Sequence, residues 1–267
     1  MAKKISGTKE WSEHSANFMK GCPNACVYCY ASANAIGRWK RVILGDWSNP
    51  VFNEKSFNKK WGKVKGIIMF PTTHDIYPEN LDRSIDFLKR LLEPGNDVLI
   101  VSKPHPKCII KICRELKEYK KQILFRFTIG SGNNNVLKYW EPNAPTLSQR
   151  GISLMKAYDE GFKTSVSCEP MLGDFWDIKN MVKDLLPYVT DAIWLGKMNQ
   201  LEKRLNANGF DINLIPNHII SGINHWENDD NIWTLYYRFK EDPKIKWKES
   251  IKKIVGIEPP KEKGLDI

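Results

Sequence analysis

Short runs of β-forming residues recur along this chain at intervals of about 30 residues, the length of a strand–helix–strand unit. They are Gly66-Ile-Ile-Met-Phe70, Asp97-Val-Leu-Ile-Val-Ser102, Ile123-Leu-Phe-Arg-Phe-Thr128, Lys163-Thr-Ser-Val-Ser-Cys168 and Asp191-Ala-Ile-Trp-Leu-Gly196. The spacers carry helical periodicity. Leu81, Ile85, Leu88 and Leu92 share one face, and Pro106 opens a helix bearing Ile109, Ile112, Cys113 and Leu116. Ile152, Met155 and Tyr158 lead to Gly161 as a C-terminal cap, and Ile178, Met181, Val182 and Leu185 make another face. Such alternation predicts a parallel sheet with right-handed crossovers. A further strand ahead of the first cysteine, about Asn17-Phe-Met19, brings the number of βα units to six. That number suits an α/β fold of the open, partial (β/α)6 barrel kind. Residues 1–200 are expected to form the barrel, and residues 201–267 a C-terminal helical extension packed on it, with a short apolar stretch at Asn217-His-Ile-Ile-Ser221.

The mean hydropathy of −0.46, with no apolar run near the ~18 residues a bilayer span needs, excludes a transmembrane helix. An aromatic fraction of 11% over 267 residues is that of a chain with a packed core rather than a disordered one. The start, Met1-Ala-Lys-Lys-Ile-Ser-Gly, lacks the apolar stretch of a signal peptide, so a cytoplasmic protein is expected.

The six cysteines are Cys22, Cys26, Cys29, Cys108, Cys113 and Cys168, and without a secretory signal they are not expected to form a disulfide framework. Three sit within eight residues, in Gly21-Cys-Pro-Asn-Ala-Cys-Val-Tyr-Cys-Tyr-Ala31. A C-x3-C-x2-C loop can hold three irons of a cubane cluster and leave the fourth open for a ligand, as an open catalytic zinc site does. A structural zinc site, with His14 as an irregularly spaced fourth ligand, and three unrelated buried thiols are the competing readings. Cys108, Cys113 and Cys168 read as buried structural thiols, with an auxiliary cluster as the alternative.

Tyr28, directly before the last of the three cysteines, completes C-x3-C-x-(aromatic)-C, and this segment resembles the cluster motif of the radical S-adenosylmethionine (SAM) superfamily at every diagnostic position. Gly7-Thr-Lys-Glu-Trp11, Cys29-Tyr-Ala31 and Glu141-Pro-Asn-Ala-Pro145 followed by Arg150 are similar to the spore photoproduct lyase-related branch, over roughly residues 7–200. The resemblance implies a partial barrel whose Cys22, Cys26 and Cys29 ligate a 4Fe–4S cluster, with SAM on the open iron and a reducing partner such as flavodoxin or ferredoxin. By position it implies that Tyr28, His74, Lys103, Arg126, Thr128 and Ser167 (or Val166) surround SAM. In that set Lys103 meets the methionine carboxylate, Thr128 the ribose and residues 166–167 the adenine. Each has a plain structural alternative. Lys103 could be a solvated helix-entry lysine, His74 a core histidine bulkier than the small residue usual there, and Arg126 a strand residue paired with Glu169. Glu141 and Arg150 are expected to form a structural ion pair. Gly130-Ser-Gly132 is no dinucleotide fingerprint, because the third glycine is missing.

Two positions are implied on the substrate side. Spore photoproduct lyase delivers a hydrogen atom from a cysteine whose place is taken here by Thr72, whose O–H bond is too strong for that role, while the tyrosine of its relay is present as Tyr30. Repair of thymine photoproducts is therefore not expected, although radical generation is. The net charge of +10 concentrates in Arg38-Trp-Lys-Arg41, Lys59-Lys-Trp-Gly-Lys63 and Lys244-Ile-Lys-Trp-Lys-Glu-Ser-Ile-Lys-Lys253. Cations interleaved with Trp suit phosphate contacts and base stacking, so a nucleic acid or nucleotide substrate is the leading expectation. A peptide or small metabolite substrate, or a non-catalytic metal-bound nucleic-acid-binding protein, are the alternatives. The reaction subclass stays open.

Overall fold

A computed structural model describes residue 5 and residues 7–264; most of the N-terminal stretch weighed above as a signal peptide lies outside them. Its strands are β1 (His14–Ser15), β2 (Met19–Lys20), β3 (Val51–Phe52), β4 (Ile67–Phe70), β5 (Asp97–Ser102), β6 (Ile123–Thr128), β7 (Lys163–Cys168), β8 (Ile193–Leu195) and β9 (Ile245–Trp247). Seven of them form one parallel sheet in the order β1-β4-β5-β6-β7-β8-β9, with β1 and β9 as its unjoined edges. β2 and β3 make a separate antiparallel pair. The architecture is therefore the expected open α/β partial barrel, with one strand more than the six expected.

The helices are α1 (Tyr30–Ala33), α2 (Glu54–Phe57), α3 (Leu81–Leu92), α4 (Pro106–Glu115), α5 (Asn134–Trp140), α6 (Leu147–Asp159) and α7 (Phe175–Leu185). After residue 200 come α8 (Leu201–Ala207), α9 (Asn217–His225), α10 (Asp229–Phe239) and α11 (Glu249–Val255). Strand alternation sorts side chains between two faces. Val98, Ile100, Phe125, Phe127 and Val166 pack outward with the helices in the main core. Met69, Leu99 and Trp194 turn to the inner face and meet Trp11, which comes from a turn ahead of β1. The apolar stretch after Asn217 is helical, and with α5 and α8 it packs on Val27 and Tyr28 of the cysteine loop.

Two strand expectations are corrected. The first strand of the sheet is His14–Ser15, not Asn17–Met19; Asn17 turns its carboxamide onto the backbone of Thr72 and Thr73, at 2.8 and 3.0 Å, and Phe18 enters the aromatic core. The last basic Trp-bearing stretch is not a free charged surface: Ile245 and Trp247 are core residues of β9, and Lys248 is buried. Among the described residues no helix is long and apolar enough to cross a membrane.

Candidate active site

The cysteine loop opens at Gly21, whose φ of +99° suits glycine and where a Cβ would meet the Trp47 carbonyl oxygen at 2.7 Å. The Cys22 amide donates to that same oxygen at 2.9 Å. Within the loop Ala25 holds a left-handed backbone, φ +49°, unusual for a residue with a Cβ. The loop is held there by the segment after β6. Trp140 O accepts from Val27 N at 2.9 Å, Asn143 Nδ2 donates to Pro23 O at 3.0 Å, and the Tyr28 hydroxyl donates to Glu141 Oε1. Glu141 also pairs with Arg150, which reaches Pro145 O at 2.8 Å and Thr128 O at 3.1 Å. The Glu-Pro-Asn-Ala-Pro stretch and Arg150 are thus a frame for the cysteine loop.

Asp75 closes the loop from the other side. Its Oδ2 accepts from Asn24 Nδ2 at 2.8 Å and lies 3.9 Å from Cys22 Sγ; its Oδ1 takes the Ser102 hydroxyl at 3.0 Å and the Lys103 amide at 2.7 Å. Burial works against its charge, but Lys103, Ser102 and Asn24 hold the carboxyl below the usual range. The Lys103 ammonium stands 3.9 Å from Asp75 Oδ2 and 3.8 Å from Glu141 Oε1, neither close enough for a hydrogen bond. Burial opposes its charge, yet Cys26, Tyr28, Glu141 and Asp75 together raise its pKa well above the ordinary lysine value. Burial pushes the Cys22 thiol up to about 12 and raises Cys26 and Cys29 in the same direction. A metal bound by these thiols would have to displace their protons.

This donor set fits a multi-iron cluster. Among the described residues no three His, Cys, Asp or Glu side chains converge tightly enough to hold one metal ion. Thiolates that each bind a separate iron of a cube have no need to converge on a point, and a buried cation beside them favours their ionised form. Cys29 Sγ in addition accepts the Ser32 amide at 3.4 Å.

Other expected site residues fall in different places. Tyr30 and Thr72 meet: the Tyr30 hydroxyl donates to Thr72 O, and Asn17 Nδ2 donates to Thr72 Oγ1 at 2.5 Å. Thr128 and Ser167 lie paired across the inner ends of β6 and β7. His74 packs its ring between Phe18 and Phe70, at centroid distances of 5.2 and 5.8 Å, and burial lowers its pKa to about 4. Arg126 has no exposed surface: it bonds Asp191 at 3.1 Å and Ser165 at 3.0 Å, with Trp11 and Trp194 rings 4.7 and 5.2 Å from the guanidinium. Its partner is Asp191, whereas Glu169 pairs with Lys248. Cys108, Cys113 and Cys168 are buried free thiols.

Three functional neighbours escaped sequence reasoning as site residues. Asp75 was visible only as one polar residue at a strand end. Arg204 and Asn208 come from α8 and its C-cap; Asn208 Nδ2 donates to Val27 O at 3.0 Å and Cys29 O at 3.1 Å. Arg204 reaches Met198 Sδ at 3.6 Å and has no carboxylate partner among the described residues. Burial lowers its pKa, with Glu169, Cys29, Tyr28 and Tyr30 acting the other way. No local motif marks either residue, because their partners lie far off in sequence.

An open parallel barrel with a three-cysteine loop at the carboxyl ends of its strands, faced by a buried lysine, defines a class of radical-generating enzymes. The sequence profile of the radical SAM superfamily matches residues 16–185, and the chain belongs to that superfamily. It is 26% identical over 211 residues to an uncharacterized protein of Acidianus two-tailed virus, covering 74% of this chain and 69% of that one. It is also 24% identical over 192 residues to an uncharacterized protein of Methanocaldococcus jannaschii, 69% of each chain. A variant of spore photoproduct lyase shares the fold with a TM-score of 0.54 at 14% identity, over 91% of this chain and 78% of the lyase. The protein is thus a radical SAM enzyme, and enzymes of this superfamily generally require a reducing partner.

Proposed function

We propose that Cys22, Cys26 and Cys29 hold a 4Fe–4S cluster and that the protein uses it to cleave SAM reductively and abstract hydrogen from an anionic substrate, a nucleotide or nucleic acid. The observation that carries this reading is the convergence of Lys103, Asp75, Glu141 and Tyr28 on the cysteine loop. Once reduced by its partner, the cluster would supply one electron to SAM, whose carbon–sulfur bond would break to give methionine and a 5′-deoxyadenosyl radical. The chain's own residues do the rest. Lys103, with no hydrogen bond to either flanking carboxylate, is the cation for the methionine carboxylate, worth about 1.5–3 kcal/mol as a charge-assisted bond. Asp75 fixes the Lys103 backbone and the loop; Tyr28 and Glu141 set the loop's height over the sheet. Thr128 and Ser167 are assigned the ribose and adenine side. Arg126 is left out of this set because it is sealed among Trp11, Trp194 and Asp191.

On the substrate side, Tyr30 anchored on Thr72 O stands beside Arg204, a cation without a carboxylate of its own, suited to a phosphate. A peptide or small-metabolite substrate is the second reading. It is favoured by the fold taking up the Trp of two stripes, since Trp61 packs against the main core and Trp247 lies in it, although Lys59, Lys60 and Lys63 stay exposed.

The test is anaerobic reconstitution with iron and sulfide, followed by an assay for reductant-dependent 5′-deoxyadenosine. Wild type is expected to incorporate iron and release the nucleoside; Cys26→Ala is expected to drop both to background. Failure of wild type to cleave SAM once loaded would sink the reading. Binding to RNA or DNA that weakens steeply with salt separates the two substrate classes, since a neutral substrate predicts none at low salt.

A further inference from the structure

The chain leaves Cys29 through α1 and a π-helical turn, Asn34–Arg38, and then exposes an unusual surface. Ile43 is 76% exposed, Leu44 55% and Trp39 47%. Leu214, 79% exposed, and Phe210, 43%, come from the stretch after α8. The two segments are in contact. A Cβ on Gly209 would lie 3.1 Å from the Leu44 side chain, and one on Gly37 would lie 3.4 Å from Ala207. Arg38, Lys40 and Arg41 are exposed on the first segment, and the Arg41 guanidinium stands 5.5 Å from the Trp39 ring. Single exposed apolar side chains need no explanation, but a contiguous set rimmed by cations marks a place for a partner.

We infer that this surface docks an acidic one-electron carrier protein that reduces the cluster, an inference that rests on the cluster assignment above. Its position argues for that role. One edge begins nine residues after Cys29, at Arg38, and the other lies two residues beyond Asn208, whose amide donates to Cys29 O at 3.1 Å. A carrier seated here is one shell of residues from a cluster ligand. The three most exposed apolar side chains of this surface, Leu214, Ile43 and Leu44, are aliphatic, which suits the apolar core of a protein interface; Trp39 and Phe210 supply the rings. A second copy of this chain fits less well, because a two-fold contact would bring Arg38, Lys40 and Arg41 of both copies onto one interface. The anions near the surface are Asp46, Glu202 and Asp211, and the first segment carries a clear excess of cations. In the step itself one electron leaves the carrier, which is oxidised by one, and enters the cluster, which is reduced by one; no bond or proton moves.

The experiment compares cluster reduction and 5′-deoxyadenosine formation in the reconstituted full chain, driven either by reduced flavodoxin as the acidic carrier or by dithionite. Ile43→Asp, Leu214→Asp and Arg41→Glu change exposed side chains on both segments. With flavodoxin each is expected to slow reduction by about tenfold, and wild-type reduction is expected to slow with rising salt. With dithionite all are expected to match wild type within about twofold, because a small reductant needs no docking surface. Equal losses with both reductants, or none with flavodoxin, would overturn the docking surface and leave the radical SAM reading standing. So would competition of an oligonucleotide for the surface, or a dimer that the variants dissociate. A loaded wild type that dithionite cannot reduce would overturn both.

Discussion

Two regions of the barrel bury a lysine among carboxylates and aromatic rings, and they use it in opposite ways. At the cysteine loop, Lys103 stands 3.8–3.9 Å from Glu141 and Asp75, with hydrogen-bond donors it does not use. On the inner face of the sheet, Lys248 is 2.8 Å from Glu10 and 3.4 Å from Glu169; it donates to Gly7 O at 3.1 Å and lies 3.9 Å over Trp11. Arg126 is spent in part on Asp191, Ser165 and two Trp rings, with its buried Nη1 left without a hydrogen-bond partner. On the proposed function, the same residue types make a ligand cradle where contacts are long and a plug where they are short. The two differ in burial, at 12% and 1% side-chain exposure, and in the number of donors already satisfied.

The largest effect expected from breaking this contrast is at the plug. Lys248→Met leaves Glu10, which has no exposed surface, as an unpaired buried carboxylate and is expected to cost about 3–5 kcal/mol in chemical denaturation. The double variant Glu10→Gln with Lys248→Met is expected to recover much of that loss. Unchanged stability in Lys248→Met would dissolve the distinction.

His74 sharpens the boundary between the regions. Its folded pKa of about 4 lies below the ordinary 6.5, so between these values the unfolded chain takes a proton that the folded one refuses. Stability supplied by the neutral ring is whole above pH 6.5 and falls by up to about 3 kcal/mol as pH drops to 4. His74→Phe is expected to flatten that slope in denaturation curves across the range. If it also leaves SAM affinity unchanged, His74 belongs to the aromatic core with Phe18 and Phe70.

The smallest effects concern the ligand. Lys103→Met is expected to weaken SAM binding about 10- to 100-fold, from a lost contact of about 1.5–3 kcal/mol. Arg126→Met is expected to lower stability while leaving that affinity within about threefold. Calorimetric titration of SAM into the reconstituted variants checks both, and equal losses of affinity would place Arg126 in the cradle after all.

The five inner strands of the sheet were legible because each lies in an uninterrupted β-type run bounded by turn residues, and the tool that reads them is simple hydrophobic continuity. The two edge strands were not. His14–Ser15 has no apolar pattern, and its place is set only by pairing with Ile68 and Met69. In Lys244-Ile-Lys-Trp-Lys248 the alternation of a half-buried strand was present, but the lysines made it look like a charge run. At the site, the cysteines stood out because their chemistry and spacing are local, and Lys103 through the family resemblance. Asp75, Arg204 and Asn208 act through contacts that cross the chain, so no window of sequence contains both partners. The Glu10-Trp11 pair had a motif but no visible reason; its reason is the plug.

The reach of Asn208 also sets an order of events. The carbonyl it holds at Cys29 lies 179 residues earlier in the chain. At translation rates of about 5–20 residues per second, the loop leaves the ribosome roughly 10–40 s before its clamp is made. Throughout that interval the loop lacks the Asn208 contacts to Val27 O and Cys29 O. Synthesis of α8 then closes that side of the loop, so the cysteine loop reaches its final form only when distant C-terminal residues are present.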